Sequence, residues 1–510
     1  MANNPQSYSS YTLPPPVGGL NYVDPIDNMP QGDARVMCNF FPDNESVKLR
    51  KGYTEVTDSG TGYAANPVKR LWNLPLANGT EKLVAAYDDS TNHLFDVSTG
   101  TLTSIEGATV PTSEEWQHVV FKNRLFIVNG ADAPQVYTGT GNFANAGFTG
   151  TGLTASDAIN IGAYRGRVYL VEKDTASVWY GAVGAVTGAT TEFDLSDVFT
   201  RGGYLVAAGS YTNQVADTSQ DLWMAVSSEG EVLLYTGSYP GDSAWSIVAR
   251  YFIAKPIGYR CLISYDSDTL ILTRRGLIAV SSLFQGDYVG NSGIARKVNK
   301  YIREAAEDRA GLDAWHCIYS ADQRKLFLNM PLSATTSEQL VCNVDTGAWC
   351  QYTYAGSSAP YSFSNFGSEI YFGGAEARLY HAETGETDGV LSIPSDVLWA
   401  WNFFGRRGNY KRFVDARPLI VGSNVSGLGV KMERDFAVGA ADSPAVMGTS
   451  STPWGSAWGS PWGGGTTATF DRYTLGSQGH SGALRVTATF KNVSLELNAV
   501  EVRFETGGQI

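Results

Sequence analysis

The 510-residue chain is rich in hydrophobic (43%) and aromatic (12%) residues, poor in charged residues (17%), and acidic overall, with a formal net charge of −13. This composition excludes a disordered chain and a coiled coil, and the acidic balance argues against a protein that reads duplex DNA. No apolar run is long enough to span a membrane, so no membrane insertion is expected, and a signal peptide is not recognisable. The length predicts two to four domains or one large repeat domain.

Residues 1–16 are predicted to form an extended, flexible arm. They are polar and end in Pro14, Pro15 and Pro16, which stiffen the backbone into a polyproline-type segment. Such an arm often lies across a neighbouring chain. The three prolines are therefore candidate interface residues, together with Tyr8 and Tyr11. The alternative is a disordered terminus that contacts nothing.

Residues 66–394 are predicted to form a β-propeller of six or seven blades, so the expected fold class is all-β. Seven short apolar runs bounded by turn residues begin at 82, 124, 167, 231, 269, 325 and 369. Most intervals between them are close to the roughly 40 to 45 residues of a four-stranded blade. A strand that ends in a Thr-Gly turn also recurs, at 94–100, 341–347 and 379–385. Several sandwich domains are the alternative, because they also contain short strands.

One helix is predicted within this β-rich region, near 296–310. The segment from Arg296 to Arg309 lacks Gly and Pro, and Arg303 is spaced from Glu307 as an i, i+4 ion pair. Gly311 is a plausible stop signal. The helix is expected either to cover a blade or to contact another subunit.

Residues 395–510 are predicted to form a separate β-sandwich with longer antiparallel strands. A Trp-Gly loop at 453–463 interrupts it, because Gly and Pro prevent the regularly spaced Trp454, Trp458 and Trp462 from forming a helix. The three rings either pack beneath the loop or are exposed anchors for a partner chain or a sugar. They complete the set of candidate interface residues.

The sequence contains no pattern typical of catalysis or metal binding. Its histidines lack metal-ligand spacing, and nucleophile-elbow and P-loop patterns are absent. Asp266-Ser267-Asp268 lacks the rest of a calcium loop and is expected to be a turn. The carboxylate pairs Asp88-Asp89, Glu114-Glu115 and Glu192 with Asp194 lie near predicted turns. The sequence therefore predicts a protein that is not an enzyme and that uses no cofactor or metal.

The five cysteines form no C-x-x-C pair. Their odd number and low density indicate free, mostly buried thiols in a protein assembled in a reducing cytosol. A hairpin disulfide between Cys342 and Cys350 is the minor alternative.

One segment near the N-terminus carries a family resemblance. Its residues are Val17-Gly18-Gly19-Leu20-Asn21, Asp24-Pro25, Met29-Pro30, Gly32-Asp33-Ala34, Asn39-Phe40-Phe41-Pro42 and Leu49-Arg50-Lys51-Gly52-Tyr53. This pattern resembles the opening of the tail nozzle, or tail hub, proteins of short-tailed bacteriophages, which include the packaged-DNA stabilisation proteins. Short further similarities follow at 163–169, 275–278, 297–302, 348–350 and 508–510. On this basis, residues 17–65 are expected to be a leading segment before the propeller.

The resemblance implies a structural protein of the virion, assembled in the host cytoplasm. Nozzle proteins form a ring, here expected to be a hexamer, below the portal and adaptor rings. They continue the DNA exit channel, retain the packaged DNA and support the plug, needle, spike or fibres, so DNA is expected only as passing cargo. Part of the negative charge would then line the channel and repel phosphates. The alternative is a carbohydrate-binding or carbohydrate-cleaving propeller, either an adhesin or a glycosidase.

Overall fold

The computed structural model describes most of the chain in two compact units. The described ranges are 8–56, 66–87, 94–107, 112–113, 115–215, 218–287, 293–355, 360–374, 378–422, 428–441, 446–448, 467–469 and 471–509. One unit, here called the propeller unit, comprises 55–338 and 357–381; the other, the sandwich unit, comprises 1–54, 339–356 and 382–510. Among the described residues, no helix has the length and apolar character needed to cross a bilayer.

The propeller unit is a ring of small antiparallel sheets, and the described residues form seven such blades. Blade 1 contains Val68–Pro75, Glu81–Tyr87, Leu94–Asp96 and Thr103–Ser104. Blade 2 contains Gln117–Phe121, Arg124–Val128, Gln135–Tyr137 and Ala144–Asn145. Blade 3 contains Ala158–Tyr164, Arg167–Glu172, Ser177–Gly181 and Gly188–Asp194, with Phe148–Thr149 added parallel to the last strand. Blade 4 contains Leu205–Val215, Thr218–Ser227, Glu231–Thr236 and Ser246–Phe252.

The remaining blades depart from the four-stranded pattern. Blade 5 contains Leu262–Tyr265, Asp268–Thr273 and Gly276–Ala279, and the propeller unit holds His316–Ser320 and Lys325–Pro331 of blade 6. Blade 7 contains Pro360–Phe366, Glu369–Gly374 and Leu379–Ala382, and a short strand, Tyr53–Glu55, precedes blade 1 in the chain. Glu55 pairs with Arg378 at 2.9 Å, and the Val56 N–H donates to the Leu379 carbonyl oxygen at 2.9 Å. Glu55 and Val56, which precede blade 1 in the chain, therefore bind to blade 7, the last blade.

Apolar packing between successive blades closes the ring. The first strands of the blades lie side by side around its centre. Shared clusters join blades 1 and 2, 2 and 3, 3 and 4, 4 and 5, and 7 and 1. Tyr265 contacts Tyr319 between blades 5 and 6, and Phe327 contacts Phe363 between blades 6 and 7. Because both faces of a blade are covered, its second strand is apolar throughout, as in Leu83–Tyr87, rather than alternating.

The predicted β-propeller is confirmed, with the larger of the two expected blade numbers. Six of the seven apolar runs are the second strands of their blades. The run at 231 is instead the third strand of blade 4, because the second strand, Thr218–Ser227, was not recognised. This shift explains why the interval from the run at 167 to the run at 231 is 64 residues, whereas the interval from 231 to 269 is only 38.

The predicted helix is present as Asn299–Arg309, and a shorter helix, Val280–Phe284, precedes it. Two 3-10 turns, Ile26–Asn28 and Ala155–Asp157, complete the helical elements of the described residues. Ile302, Ala305 and Ala306 form the buried face of the longer helix. The Asn299 side chain accepts a hydrogen bond from the Leu277 N–H, at 3.2 Å, in blade 5. The helix therefore covers blade 5, while a subunit contact stays a prediction.

The sandwich unit contains two antiparallel sheets in its described part. The first comprises Phe40–Pro42, Val47–Leu49, Leu495–Gln509, Asn409–Gly422 and Thr467–Thr469, with Ser9–Leu13 and Tyr473–Gly479 at its sides. The second comprises Ser337–Asn343, Ala348–Tyr352, Ala34–Cys38, Ile393–Trp399, Gly482–Lys491 and Gly429–Arg434, with Val446–Gly448 beside Gly482–Lys491. Phe40 of the first sheet meets Phe490 of the second edge to face. The C-terminal β-sandwich is thus confirmed, and N-terminal strands are part of it.

The N-terminal segment differs from the predicted flexible arm. Ser9–Leu13 pairs antiparallel with Leu495–Gln509, with Ser9 opposite Phe504 and Leu13 opposite Val500. Leu13 is buried because it faces the sandwich core, and this anchors the strand. The segment 17–54 likewise contributes strands to the sandwich rather than forming a separate lead-in to the propeller.

All five cysteines lie within the described residues, and none of them forms a disulfide bond. Cys342 lies opposite Trp349, and Cys350 lies opposite Val341, so the two thiols are offset by one residue in the hairpin register. Successive residues of a strand point to opposite faces, and this offset does not favour a bridge.

Candidate functional site

The described candidate interface residues at the N-terminus contact their own chain. The Tyr11 ring packs edge to face on Phe404, with ring centroids 5.4 Å apart, and the Tyr8 ring lies 5.5 Å from the Arg503 guanidinium. The Pro14 carbonyl oxygen accepts a hydrogen bond from Trp399 Nε1 at 2.8 Å, and Pro16 is buried. Pro15 is half-buried. Trp454, Trp458 and Trp462 lie outside the described residues.

Residues that carry the nozzle resemblance form a tight loop in the sandwich unit. A side chain at Gly18 would collide with Asp33, and one at Gly19 would collide with the Trp349 backbone. Gly19 also has a φ of 74°, which favours glycine. The buried Asn21 amide donates to Asp33 at 2.6 Å. These residue types are therefore required by close backbone approach and by a buried hydrogen bond.

A second part of the same motif surrounds a buried ion pair. Arg50 donates to both oxygens of Asp388, at 2.8 and 2.6 Å, and both side chains are fully buried. Arg50 Nε donates to Asn39 Oδ1 at 2.8 Å, and Nη2 donates to the Thr353 carbonyl oxygen at 2.7 Å. The Tyr354 ring lies 4.7 Å from the guanidinium. Burial alone would lower the pKa of Arg50, but the contacts with Asp388 raise it above its usual value.

The propeller unit contains a different kind of site, a cavity of about 440 Å³. It lies where the first strands of the blades begin. Arg70 and Gln117 lie on the first strands of blades 1 and 2, whereas Tyr204, Arg260 and Asp313 immediately precede those of blades 4, 5 and 6. The propeller topology therefore brings together residues that are far apart in sequence, as in many ligand sites.

Charged groups meet along one wall of this cavity. Arg70 donates to both oxygens of Asp313, at 3.1 and 2.8 Å, and its Nε donates to the Trp116 carbonyl oxygen at 3.1 Å. Arg260 Nη2 donates to the Asp313 main-chain oxygen at 2.8 Å. Although burial would raise the pKa of Asp313, Arg70 and Arg260 hold it well below its usual range. Asp313 is therefore ionised at neutral pH.

Two histidines accompany this cluster. Burial, and then the charge of Arg260, lower the pKa of His118 to about 4, and burial likewise places the pKa of His316 well below its usual value. The His316 Nδ1 accepts a hydrogen bond from the Phe363 N–H at 3.2 Å. Both imidazoles are therefore neutral at pH 7.

Of the carboxylate pairs chosen from the sequence, Glu192 and Asp194 lie on the strand Gly188–Asp194 rather than in a turn. Glu192 accepts a hydrogen bond from the Ser177 hydroxyl at 2.6 Å, and Asp194 accepts one from the Ser196 N–H at 2.8 Å. Glu115 lines the cavity. Asp88, Asp89 and Glu114 lie outside the described residues. Asp266 has a φ of 47° and lies at a hairpin turn, as expected.

No sequence pattern predicts Arg70, Arg260 or Asp313 as site residues. No fixed spacing links residues from different blades, and Arg70 and Arg260 stand beside unremarkable neighbours. Their positions along the chain could have indicated the site. Each of the three residues lies at or just before the first strand of a blade, and these strand starts lie close together in a propeller. Using these positions would have required the assignment of every blade.

Comparisons with known proteins assign no family. No known family profile and no curated sequence matches the chain. One similar solved structure is the virginiamycin B lyase of Staphylococcus aureus, at 12% identity and a TM-score of 0.38, covering 62% of this chain and 94% of that one. Because this structure is an enzyme, it contradicts the expectation that the protein is not an enzyme, and that expectation is withdrawn. The likeness is too low to assign an activity to this chain.

Proposed function

We propose that the protein is a component of the tail nozzle of a short-tailed bacteriophage. In this function it forms a ring, taken as a hexamer by family analogy, below the portal and adaptor. The ring continues the DNA exit channel, retains packaged DNA and supports the plug, needle, spike or fibre proteins. Identical subunits in such a ring meet through head-to-tail contacts.

The observation that carries this proposal is that the residues resembling the nozzle proteins contact one another. Gly18, Gly19 and Asn21 form one close-packed loop, and Asn39 and Arg50 form one buried polar network. The resembling residues thus belong to connected parts of one segment of the fold. The resemblance therefore concerns a set of interdependent residues, which supports a shared local fold with the nozzle proteins.

The net charge provides weaker support. A surplus of 13 negative charges is unsuited to tight binding of DNA phosphates. It suits a wall along which DNA moves without being held, provided that part of the charge faces the lumen.

The assembly state of the purified full-length chain tests this proposal. Mass photometry and negative-stain electron microscopy of the concentrated protein are expected to show closed rings of six copies. Labelling with an antibody raised against the protein is expected to mark the tail of the virions. A protein that stays monomeric and is missing from the virion would overturn the proposal.

A carbohydrate-binding propeller is the second candidate, and the cavity favours it. Tyr204, Tyr259 and Trp315 line the cavity beside its charged groups. Aromatic walls with a few polar groups are typical of small-molecule sites. A glycan array separates this candidate from the first, because a nozzle ring needs no glycan for assembly.

A further inference from the structure

The cavity of the propeller unit contains more positive charge than its acidic groups balance. Arg70, Lys255, Arg260 and Arg274 line it, against Glu115, Glu229 and Asp313. Lys255 pairs with Glu229 at 2.8 Å. The carboxylate of Asp313 is paired with Arg70 and lies 4.0 Å from the Arg260 guanidinium. The lining therefore has an excess of one positive charge, in a chain whose net charge is −13.

Arg260 has a hydrogen-bond donor that its surroundings leave unused. Its Nη2 donates to the Asp313 main-chain oxygen, whereas its buried Nη1 finds no acceptor among the described residues. Burial, and then the charge of Arg70, lower the pKa of Arg260 to about 9. A buried guanidinium nitrogen without an acceptor is costly, and a bound anion would supply the missing hydrogen bond.

The size and lining of the cavity limit what this anion can be. A volume of about 440 Å³ accommodates a compact organic molecule rather than a polymer chain. Arg274 lines the same cavity from an exposed turn of blade 5. Tyr204 and Tyr259 provide apolar surface for the rest of the molecule.

We propose that this cavity binds a small organic molecule through a carboxylate or phosphate group, with Arg260 as the main anchor and Arg274 as a second contact. Guanidinium groups bind both oxyanions through paired, charge-assisted hydrogen bonds. The proposal concerns the propeller unit alone and is independent of ring assembly.

Isothermal titration of the full-length protein tests the proposal with four probes: glucuronate, glucose 6-phosphate, inorganic phosphate and glucose. At least one of the two organic anions is expected to bind at least tenfold more tightly than glucose, and weakening by added salt is expected. The two organic anions distinguish a carboxylate site from a phosphate site. Binding of inorganic phosphate alone overturns the proposal for an organic ligand, as does equal binding of glucose or the absence of binding by every anion.

Substitutions identify the residues responsible. Arg260→Gln is expected to weaken binding of the preferred anion by about 10- to 100-fold, the effect of losing a charge-assisted hydrogen bond. Arg274→Gln, on an exposed turn where folding is not at risk, is expected to weaken it by a smaller factor. Arg275→Gln is the matched control, because Arg275 is exposed beside Arg274 but does not line the cavity. Unchanged binding in both the Arg260 and Arg274 variants overturns the assignment, whatever the stability of the former.

Discussion

Each of the two units contains an arginine–aspartate ion pair, and the two pairs differ in how completely the protein surrounds them. In the sandwich unit, Arg50 and Asp388 are fully buried, and the guanidinium donates further hydrogen bonds to Asn39 and to the Thr353 carbonyl oxygen. In the propeller unit, Arg70 holds Asp313, whose side chain is 34% exposed, and Arg260 remains beside them with an unpartnered nitrogen among the described residues. A closed network stabilises a fold, whereas an open one can accept a ligand. The comparison therefore separates a structural site from a candidate binding site.

The largest expected effect on stability comes from removing Arg50 from its buried ion pair with Asp388. Arg50→Met leaves the Asp388 carboxylate buried without its partner, and the free energy of unfolding is expected to fall by about 3–5 kcal/mol. Urea unfolding monitored by tryptophan fluorescence measures this loss. Arg412→Met is the matched control, because Arg412 is 58% exposed and its 3.5 Å contact with Glu505 is expected to contribute less than about 1 kcal/mol. Equal losses in the two variants would show that the buried pair has no special role.

A glycine beside this network gives the next largest effect. Gly52 lies against the Thr387 backbone, next to Asp388, and a methyl group there would collide with main-chain atoms. Gly52→Ala is therefore expected to lower the free energy of unfolding by about 1–3 kcal/mol. Gly32→Ala is the control within the same motif, since space around Gly32 is open. Thermal unfolding of both variants compares them, and a destabilised Gly32 variant with an unaffected Gly52 variant would contradict the packing argument.

These two residues also show what could be predicted from the sequence. The motif containing Gly52 and Arg50 was recognised as a unit, but its partner Asp388 was not, because 338 residues separate the pair. The propeller was predicted from the spacing of apolar runs, since each blade is a local meander. The sandwich was assigned only to the C-terminal region, because its N-terminal strands join it through long-range pairing such as Ser9 with Phe504. The cavity was missed for the same reason, since Arg70 and Arg260 meet only when the ring closes.

The cluster of Arg70, Arg260 and Asp313 is expected to make a moderate contribution to the free energy of unfolding, and this contribution depends on pH. Arg70 and Arg260 hold the pKa of Asp313 below its usual range in the folded state, despite its burial. Ionised Asp313 therefore contributes stability above about pH 4, the pKa in the unfolded chain, and this contribution is lost as pH falls below that value. Asp313→Asn is expected to lower the free energy of unfolding at pH 7 by roughly 1 kcal/mol, because solvent screens the partly exposed Asp313 carboxylate.

Urea midpoints measured from pH 7 to pH 3 check this expectation. The gap between the wild-type protein and Asp313→Asn is expected to narrow as the pH falls below about 4. Asp322→Asn, a change at an exposed position of blade 6, serves as the control for the general effect of removing one negative charge. A gap that stays constant down to pH 3 would contradict a stabilising charge on Asp313.

The smallest expected effect tests whether the N-terminal strand stabilises its own chain. Tyr11 is 36% exposed and packs edge to face on Phe404 in its own chain. Tyr11→Ala is therefore expected to lower the free energy of unfolding of the isolated protein by about 0.5–1.5 kcal/mol. Thr12→Ala, at an exposed neighbouring position, is expected to change it by less than about 0.5 kcal/mol. If Tyr11 served only as an anchor for a neighbouring subunit, its removal would leave the isolated chain as stable as the Thr12 variant and would weaken only the assembled ring.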